Sequence, residues 1–287
     1  MTEDPFLTHR GLLFTVAYEM LGSATDAEDV VQETWLRWAD VDRAEVRDSR
    51  AYLVRIVTRQ ALNRLRSVSR RREDYVGEWL PEPLLTGPDM ADDAVLAENV
   101  SIALLTVLET LGPVERAVFV LHEVFETPYD EIAEVVAKTP AAVRQIAHRA
   151  REHVAARRPR MLVDRAQQEA VLGSFMAAIT SGDLHGLVEV LAPDVVLIAD
   201  GGGLVRAARK PLIGAETVSA FLARVADLSD VVATIARFNG MPGARFEVGG
   251  DVTAVSLVIY YDRISRIYAM RNPNKLGHLE EVAELRR

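Results

Sequence analysis

The spacing of apolar and polar positions divides the chain into three parts. Helical spacing runs from about residue 5 to 75 and again from about 93 to 158. Beyond Pro159, a helix over about 163–181 is followed by apolar β-branched runs, such as 195–198 and 252–261, which predict strands. The sequence therefore predicts a multidomain protein with two all-α domains followed by an α+β domain.

Residues 76–92 lie between the two helical parts and contain three prolines and two glycines. This composition is typical of a linker. We expect domains at residues 1–75, 93–160 and 161–287, with 76–92 as the linker between the first two.

A pair of short helices is predicted after residue 127. Thr127-Pro128 and Thr139-Pro140 each indicate a helix start, because threonine caps helices and proline suits the first helical position. Ala137 stands in the turn between them, where many such motifs have glycine. One face of the second helix is apolar, and the other is polar and basic, with Arg144, Gln145, His148, Arg149 and Arg151.

Two such helices form either a helix-turn-helix, whose second helix enters the DNA major groove, or an ordinary helical hairpin. In the first interpretation, Arg144 and Gln145 could contact base edges. Arg149 and Arg151 would then hold phosphates.

The N-terminal part contains an acidic helix followed by a basic one. Thr25 and Glu28 resemble a capping box and predict a helix through Trp38. Its outer positions form either a docking surface for a basic partner or the solvated face of a core helix, and they are Asp26, Asp29, Gln32 and Glu33. The helix from Arg50 to about Val68 carries Arg55, Arg59, Asn63, Arg64 and Arg66. Arginines aligned on one face can follow a nucleic acid backbone, but they can also serve packing.

The net charge of −9 argues against nucleic acid binding until charge is examined locally. Residues 43–72 contain ten arginines and two acids, and residues 144–160 contain six arginines and one acid. Two basic blocks on either side of an acidic stretch predict two phosphate-facing surfaces, or alternatively two solvated helix faces.

Several classes of protein are excluded by composition. The chain has no cysteine, which excludes disulfides and cysteine metal sites. No apolar run approaches the roughly 20 residues that span a bilayer, and the N-terminus lacks the pattern of a signal peptide. We expect a cytoplasmic protein with no membrane association, no metal and no cofactor.

Three stretches resemble a known family. Residues 26–38 resemble sigma region 2.2, which in the family docks on the β′ clamp helices of RNA polymerase. Residues 50–66 are similar to the regions that melt and read the −10 promoter element, although relatives commonly have aspartate at the position of Asn63. Residues 111–121, 129–133 and 143–151 resemble region 4, which reads the −35 element. By their order and spacing, the chain is identified as a member of the extracytoplasmic-function sigma factors.

The resemblance implies specific partners. They are the core polymerase, through its β′ and β subunits, and promoter DNA. We further expect the acidic linker to occupy a basic channel of the polymerase, where it would mimic nucleic acid.

The C-terminal part resembles the subgroup with a SnoaL-like domain, whose fold is an NTF2-like cone with helices covering a curved antiparallel sheet. The resemblance rests on residues 79–83, 200–203 and 272–276, with Asn274 in place of the more usual aspartate. It implies that these segments regulate the sigma domains. The predicted regulatory residues are Trp79, Leu80, Pro81, Asp200, Gly201, Gly202, Gly203, Asn272, Pro273, Lys275 and Leu276.

A catalytic role for this domain would need a general base, for which the candidates are Asp194, Asp200, His185 and Tyr260. Each of the four also fits a structural position, at a turn, at a helix end or in the core. No carboxylate, histidine and hydrogen-bond donor are spaced in a way that predicts an active site. We therefore expect no catalytic residues, while an unidentified small-molecule ligand remains open. The alternative function is a DNA-binding module fused to a sensing or catalytic SnoaL-like domain.

Overall fold

The computed structural model describes residues 4–72, 75–87, 94–159, 164–226 and 231–286. The chain forms two compact units. The first comprises Met1–Asp74, Leu105–Arg158 and Glu284–Arg287, and the second comprises Tyr75–Leu104 and Pro159–Ala283. The end of the predicted linker, 88–92, and the predicted boundary at 160–161 lie outside the described residues.

The described helices follow one another along the chain, and none is both long and apolar enough to span a lipid bilayer. They are α1 (Pro5–Leu21), α2 (Ala24–Ala39), α3 (Ser49–Arg72), α4 (Ala94–Asn99), α5 (Ile102–Leu108), α6 (Pro113–Phe119), α7 (Tyr129–Val136), α8 (Pro140–Arg157), α9 (Arg165–Ser181), α10 (Leu184–Val190) and α11 (Ala215–Ala226). A π-helical segment, Val120–Val124, continues α6.

The start of α2 differs from the prediction. Its cap is Ser23, whose hydroxyl accepts a hydrogen bond from the Asp26 backbone N–H at 3.1 Å. The capping role predicted for Thr25 is therefore wrong, because Thr25 already lies inside the helix. The predicted inward positions are confirmed as buried, and they are Ala27, Val30, Val31, Thr34 and Trp38.

The start of α7 also differs, whereas the start of α8 is confirmed. The cap of α7 is Pro128, which makes no side-chain cap hydrogen bond, so the capping role predicted for Thr127 and the first helical position predicted for Pro128 are wrong. Thr139 caps α8 and accepts from the Ala142 N–H at 3.3 Å. Ala137 ends α7 with a φ of 54°, in the left-handed region that favours glycine.

In the first unit α1, α2 and α3 pack around side chains such as Leu13, Trp38 and Val57, and α6 and α7 contact α3. An ionisable pair lies inside this core, where Glu19 of α1 and Arg116 of α6 are both almost completely buried. Arg116 donates from Nε and Nη2 to the Glu19 carbonyl at 3.0 and 2.8 Å. Within the described part of the chain, both carboxylate oxygens of Glu19 lack a hydrogen-bond partner. Desolvation raises the pKa of Glu19 well above its ordinary value, although the charge of Arg116 opposes this.

The second unit is built on one sheet of six described strands, in the order β2-β1-β6-β5-β4-β3. The strands are β1 (Leu191–Asp200), β2 (Leu212–Ile213), β3 (Val231–Phe238), β4 (Met241–Val248), β5 (Asp251–Tyr260) and β6 (Arg263–Met270). The expectation of an entirely antiparallel sheet is wrong, because β1 and β6 pair in parallel. The long crossover from β1 to β6, through α11 and four strands, is what permits this pairing.

Both faces of the sheet are covered, as the alternation along β5 requires. Val255 and Leu257 point toward the face covered by α9 and α11. Ala254 and Val258 point toward the opposite face, which packs against Leu80, Ile102 and Leu279 among others. Residues 75–87, called the connector below, therefore belong to the second unit. They are not an extended tether in this structure, because Leu80 and Leu84 are at most 1% exposed.

Candidate functional site

The four residues predicted to face polymerase lie along α2. Asp29, Gln32 and Glu33 are exposed, whereas Asp26 is half-buried. Arg64 donates from Nε to Asp26 at 2.7 Å and from Nη2 to Asp29 at 2.9 Å. The hydrogen bond to Asp26, helped by the charges of Asp26 and Asp29, raises the pKa of Arg64 against the opposing effect of desolvation. The side chain of Arg64, which comes from α3, therefore lies on the acidic surface of α2.

The same surface carries two apolar side chains that sequence reasoning did not single out. Trp35 is 36% exposed and Leu36 is 59% exposed. Aromatic side chains with exposed apolar area are enriched in protein–protein interfaces. Their position beside Gln32 and Glu33 in the sequence was the available signal.

The residues predicted to contact the −10 element do not all share one face of α3. At about 100° per residue, Arg55, Arg59, Asn63 and Arg66 fall within about 80° of one another. Arg64 lies about 180° from Arg55, so the predicted alignment of all the arginines is wrong for Arg64. The four aligned residues are called the α3 stripe below. Arg59, Asn63 and Arg66 are exposed, and Arg55 is half-buried.

Part of the α3 stripe is in contact with α7. Nη2 of Arg59 donates to the backbone carbonyl of Glu134 at 3.0 Å. Nη1 of Arg55 lies 3.5 Å from the carboxylate of Glu134. An acidic residue of the second helical part therefore lies against two arginines of the first.

The face of α8 opposite its buried stripe is open to solvent. Val143, Ile146, Ala147 and Ala150 are buried as predicted. The residues predicted to contact DNA are all exposed, and they are Arg144, Gln145, His148, Arg149 and Arg151. Arg151 is already engaged, since its Nη2 donates to Glu123 at 2.6 Å. This hydrogen bond raises the pKa of Arg151. Arg144 and Gln145 lie in the first turns of α8, where a recognition helix contacts bases.

The predicted regulatory residues meet around Asp200, which is completely buried at the end of β1. Its Oδ1 accepts from the Tyr75 hydroxyl at 2.6 Å and from the Gly202 N–H at 3.0 Å. Its Oδ2 accepts from the Leu80 N–H at 2.9 Å and from Lys275 Nζ at 2.7 Å. Burial, followed by the hydrogen bond to Asp200, raises the pKa of Tyr75.

Lys275 completes this polar centre and is only 7% exposed. Besides Asp200, its ammonium donates to the Leu80 carbonyl at 2.6 Å. It also lies 4.1 Å from the ring centroid of Trp79 and 4.8 Å from that of Tyr75, within cation–π range. The charge is thus paired and enclosed by the connector on several sides. We call Tyr75, Leu80, Asp200, Asn272 and Lys275 the polar centre.

Glycine is required at the positions after Asp200 because other residues approach the backbone there closely. A Cβ on Gly202 would lie 2.3 Å from Asn272 Nδ2, and one on Gly203 would lie 3.1 Å from the Cβ of Val76. Both glycines also have positive φ. Asn272 donates to the Tyr75 hydroxyl at 2.7 Å. Among the other predicted regulatory residues, Pro81 and Gly201 are buried, Trp79 and Leu276 are half-buried and Pro273 is exposed.

A second attachment of the connector, missed by sequence reasoning, lies at the β3–β4 turn. Asn239 accepts from the Leu84 N–H at 2.9 Å and donates from Nδ2 to the Val100 carbonyl at 2.8 Å. Thr86 Oγ1 accepts from the Gly240 N–H at 3.0 Å. An Asn-Gly pair between two strands predicts a hairpin turn, so the sequence could have located this turn. It could not have shown that the turn also holds the connector.

The four candidate general bases are not assembled into a catalytic site. His185 is exposed beside Glu189, and Asp194 is exposed on β1. Tyr260 lies at the end of β5, next to Tyr261 in the following turn. Asp200 is the buried member of the set, and its oxygens are occupied by the polar centre.

Comparison with known proteins bears on both units. Residues 6–71 match the family described as Sigma-70 region 2, and residues 101–154 match Sigma-70, region 4. Over 228 residues the chain is 42% identical to the ECF RNA polymerase sigma factor SigJ of Mycobacterium tuberculosis, covering 77% of this chain and 72% of the relative. It is 34% identical over 277 residues to the probable ECF RNA polymerase sigma factor SigI of the same organism, covering 94% and 93%. The chain belongs to the extracytoplasmic-function sigma factors.

A solved structure extends the similarity to nearly the whole sigma factor. The crystal structure of M. tuberculosis SigJ matches with a TM-score of 0.75 and 34% identity, covering 94% of this chain and 96% of that chain. The predicted fold class is confirmed in its helical sigma regions 2 and 4 and in a C-terminal α+β domain with a mixed sheet.

Proposed function

We propose that this sigma factor contacts core polymerase and promoter DNA through three helices. The exposed part of the α2 surface docks on the β′ subunit, supported by its exposed acids and by Trp35 and Leu36. The α3 stripe binds the unpaired −10 strand, with arginines along the backbone and Asn63 at a base. The start of α8 reads the −35 duplex through Arg144 and Gln145.

The docking proposal is tested with the double variant Asp29→Lys plus Glu33→Lys. Charge reversal should abolish retention of the sigma factor by immobilised core polymerase and, with it, promoter-specific run-off transcription. Asp262→Lys plus Glu281→Lys, on exposed acids of the second unit, makes the same change in net charge and should leave both unchanged. Retention of the α2 variant at wild-type levels would place the contact elsewhere.

We also propose that the C-terminal domain is regulatory, not catalytic, and acts by holding the connector. The observation that supports this most is the polar centre, where Asp200 and Lys275 bind the backbone of Leu80 from both sides. A connector held in this way cannot at the same time lie in a channel of the polymerase. Its release or retention would therefore alter how the two DNA-reading regions are used.

A reversible lock can test this regulation. Leu85 and Phe238 form an isolated antiparallel bridge, and the chain has no cysteine, so Leu85→Cys plus Phe238→Cys introduces a unique disulfide between connector and sheet. We expect oxidation of this variant to change run-off output and reductant to restore it. The reduced variant is the matched control for the two substitutions, and the cysteine-free wild type controls for the reductant. Equal output from the oxidised and reduced variant at every promoter would refute the regulatory role.

A further inference from the structure

The second unit contains a cavity that none of the assigned functions uses. It lies between α9, α11 and the sheet and has a volume of about 650 Å³. Small-molecule sites usually have about 300–1,000 Å³. The body of the cavity is apolar, and its larger lining side chains are Phe175, Ile179, Leu197, Phe246, Val255 and Ile267.

The space exists because small residues follow large ones across neighbouring strands. Leu197 of β1, Ile267 of β6 and Leu257 of β5 stand side by side and fill one level of the sheet. Two positions further along, Ala199 stands beside Ala269. The cavity opens at this level, where the alanine side chains leave the volume unfilled.

The cavity has one polar end, formed by Arg271, Thr253, Asp251 and Arg206. Arg271 donates from Nε to Thr253 Oγ1 at 3.1 Å and from Nη1 to the Arg206 carbonyl. Nη2 lies 3.6 Å from Asp251, beyond hydrogen-bond distance. Because a guanidinium has five N–H donors, Arg271 can also donate to an anionic group inside the cavity.

We propose that this cavity binds a small amphiphilic carboxylate, such as a medium-chain fatty acid. Its apolar chain lies among Phe175, Phe246 and Val255, and its carboxylate accepts hydrogen bonds from Arg271. Two arginines against one aspartate in the lining favour an anionic head over a neutral or cationic one.

The occupant would contact the loop that directly follows Gly201, Gly202 and Gly203. Residues 204–207 line this cavity on one side. The same residues line a second cavity, of about 620 Å³, together with Val76 and Gly77 of the connector. A ligand would therefore share a wall with the segment that holds the connector.

Binding is tested on the full-length protein by isothermal titration calorimetry with dodecanoate, dodecanol and dodecyltrimethylammonium, each below its micelle concentration. We expect one dodecanoate per chain, bound about ten-fold or more tightly than dodecanol, since a charge-assisted hydrogen bond has that strength. Arg271→Gln should abolish this difference without weakening dodecanol, whose binding also shows that the variant is folded. The assay contains no polymerase, so its result is independent of the proposed sigma activity.

Filling the cavity provides the second arm. Ala269→Leu in the sheet and Ala207→Leu in the loop should each weaken dodecanoate at least ten-fold, and the loop variant serves if the strand variant does not fold. Val232→Phe, on an exposed side chain of β3, is the matched control and should bind as wild type. The proposal is overturned by absence of saturable dodecanoate binding, by equal affinity for the three head groups, or by unchanged binding in the folded cavity variants.

Discussion

Asp200 shows how much a single side chain can organise. Its four hydrogen bonds join the connector, the glycine loop and Lys275 in one buried centre. Removing one member of a buried ion pair leaves an uncompensated charge, which costs more than the pair contributed when both were present. The ion pair therefore fixes geometry more than it adds stability.

Asp200→Asn should lower the free energy of unfolding by about 3–5 kcal/mol, because it leaves the Lys275 ammonium buried without its carboxylate. Urea unfolding measures the loss. Lys275→Met in the Asp200→Asn background should recover part of it, while Asp262→Asn, at an exposed turn, should change little. Strictly additive losses in the double variant would contradict this coupling.

Glu19 is the second residue whose environment makes a prediction. Its pKa is raised on folding, so above the ordinary glutamate pKa of ~4.3 the folded chain holds a proton that the unfolded chain has released. Stability is therefore lost as the pH rises through the raised value and stays lower above it.

Glu19→Gln removes this titration and should raise the melting temperature by a few degrees at pH 8, with a smaller difference near pH 4.5. Thermal unfolding from pH 4.5 to 8 measures the trend. Glu28→Gln, on the exposed face of α2, should run parallel to the wild type. Parallel curves for Glu19→Gln as well would mean that the carboxyl is ionised in the folded chain.

At the scale of elements, short-range signals predicted the helices and strands well. The threonine-proline start of α8, the buried stripe of α8 and the apolar run of β5 all depend on neighbouring residues only. Ser23 and Thr25 were both able to cap α2, and the choice between them depends on packing that the sequence does not display. Helix geometry alone places Arg64 on the side of α3 opposite Arg55, so the wrong prediction for Arg64 could have been avoided from the sequence.

Contacts between distant residues could not be predicted in this way. The parallel pairing of β1 and β6 joins residues about 70 positions apart, such as Ala199 and Ala269. The proline-rich composition of residues 76–92 predicts irregular backbone, which the described part, 76–87, has, but it does not predict the burial of Leu80 and Leu84. Tyr75 carried no motif at all, and only the fold places its hydroxyl on Asp200.

The turn between α7 and α8 offers a test at this scale. Ala137 has a φ of 54°, so Ala137→Gly should stabilise the helix pair by roughly 0.5–1 kcal/mol. Ala141→Gly, at an exposed position in the first turn of α8, should destabilise it by a similar amount. Urea unfolding of the two variants compares them directly. A destabilising effect of Ala137→Gly would show that the left-handed turn does not form.

At the scale of the whole molecule, regions 2 and 4 form one compact unit in which Glu134 lies against Arg55 and Arg59. If the α3 stripe binds DNA, Glu134 competes with phosphates in the free protein. Glu134→Gln should then raise nonspecific affinity for single-stranded DNA about two- to five-fold at low salt, with the gain fading as salt screens it. Fluorescence anisotropy measures this. Asp130→Asn, on the same helix, is the control, and equal affinities of the two variants would exclude the competition.

The burial of Leu80 and Leu84 on the sheet has a consequence for inheritance. In a chain that ends near residue 160, the apolar side chains of the connector would be exposed to water between the two promoter-binding regions. Exposed apolar surfaces promote aggregation. Loss of the C-terminal domain by a nonsense mutation would therefore leave an aggregation-prone protein and not a shorter, functional sigma factor. Selection is expected to retain the apolar connector and the C-terminal domain together, or to replace both.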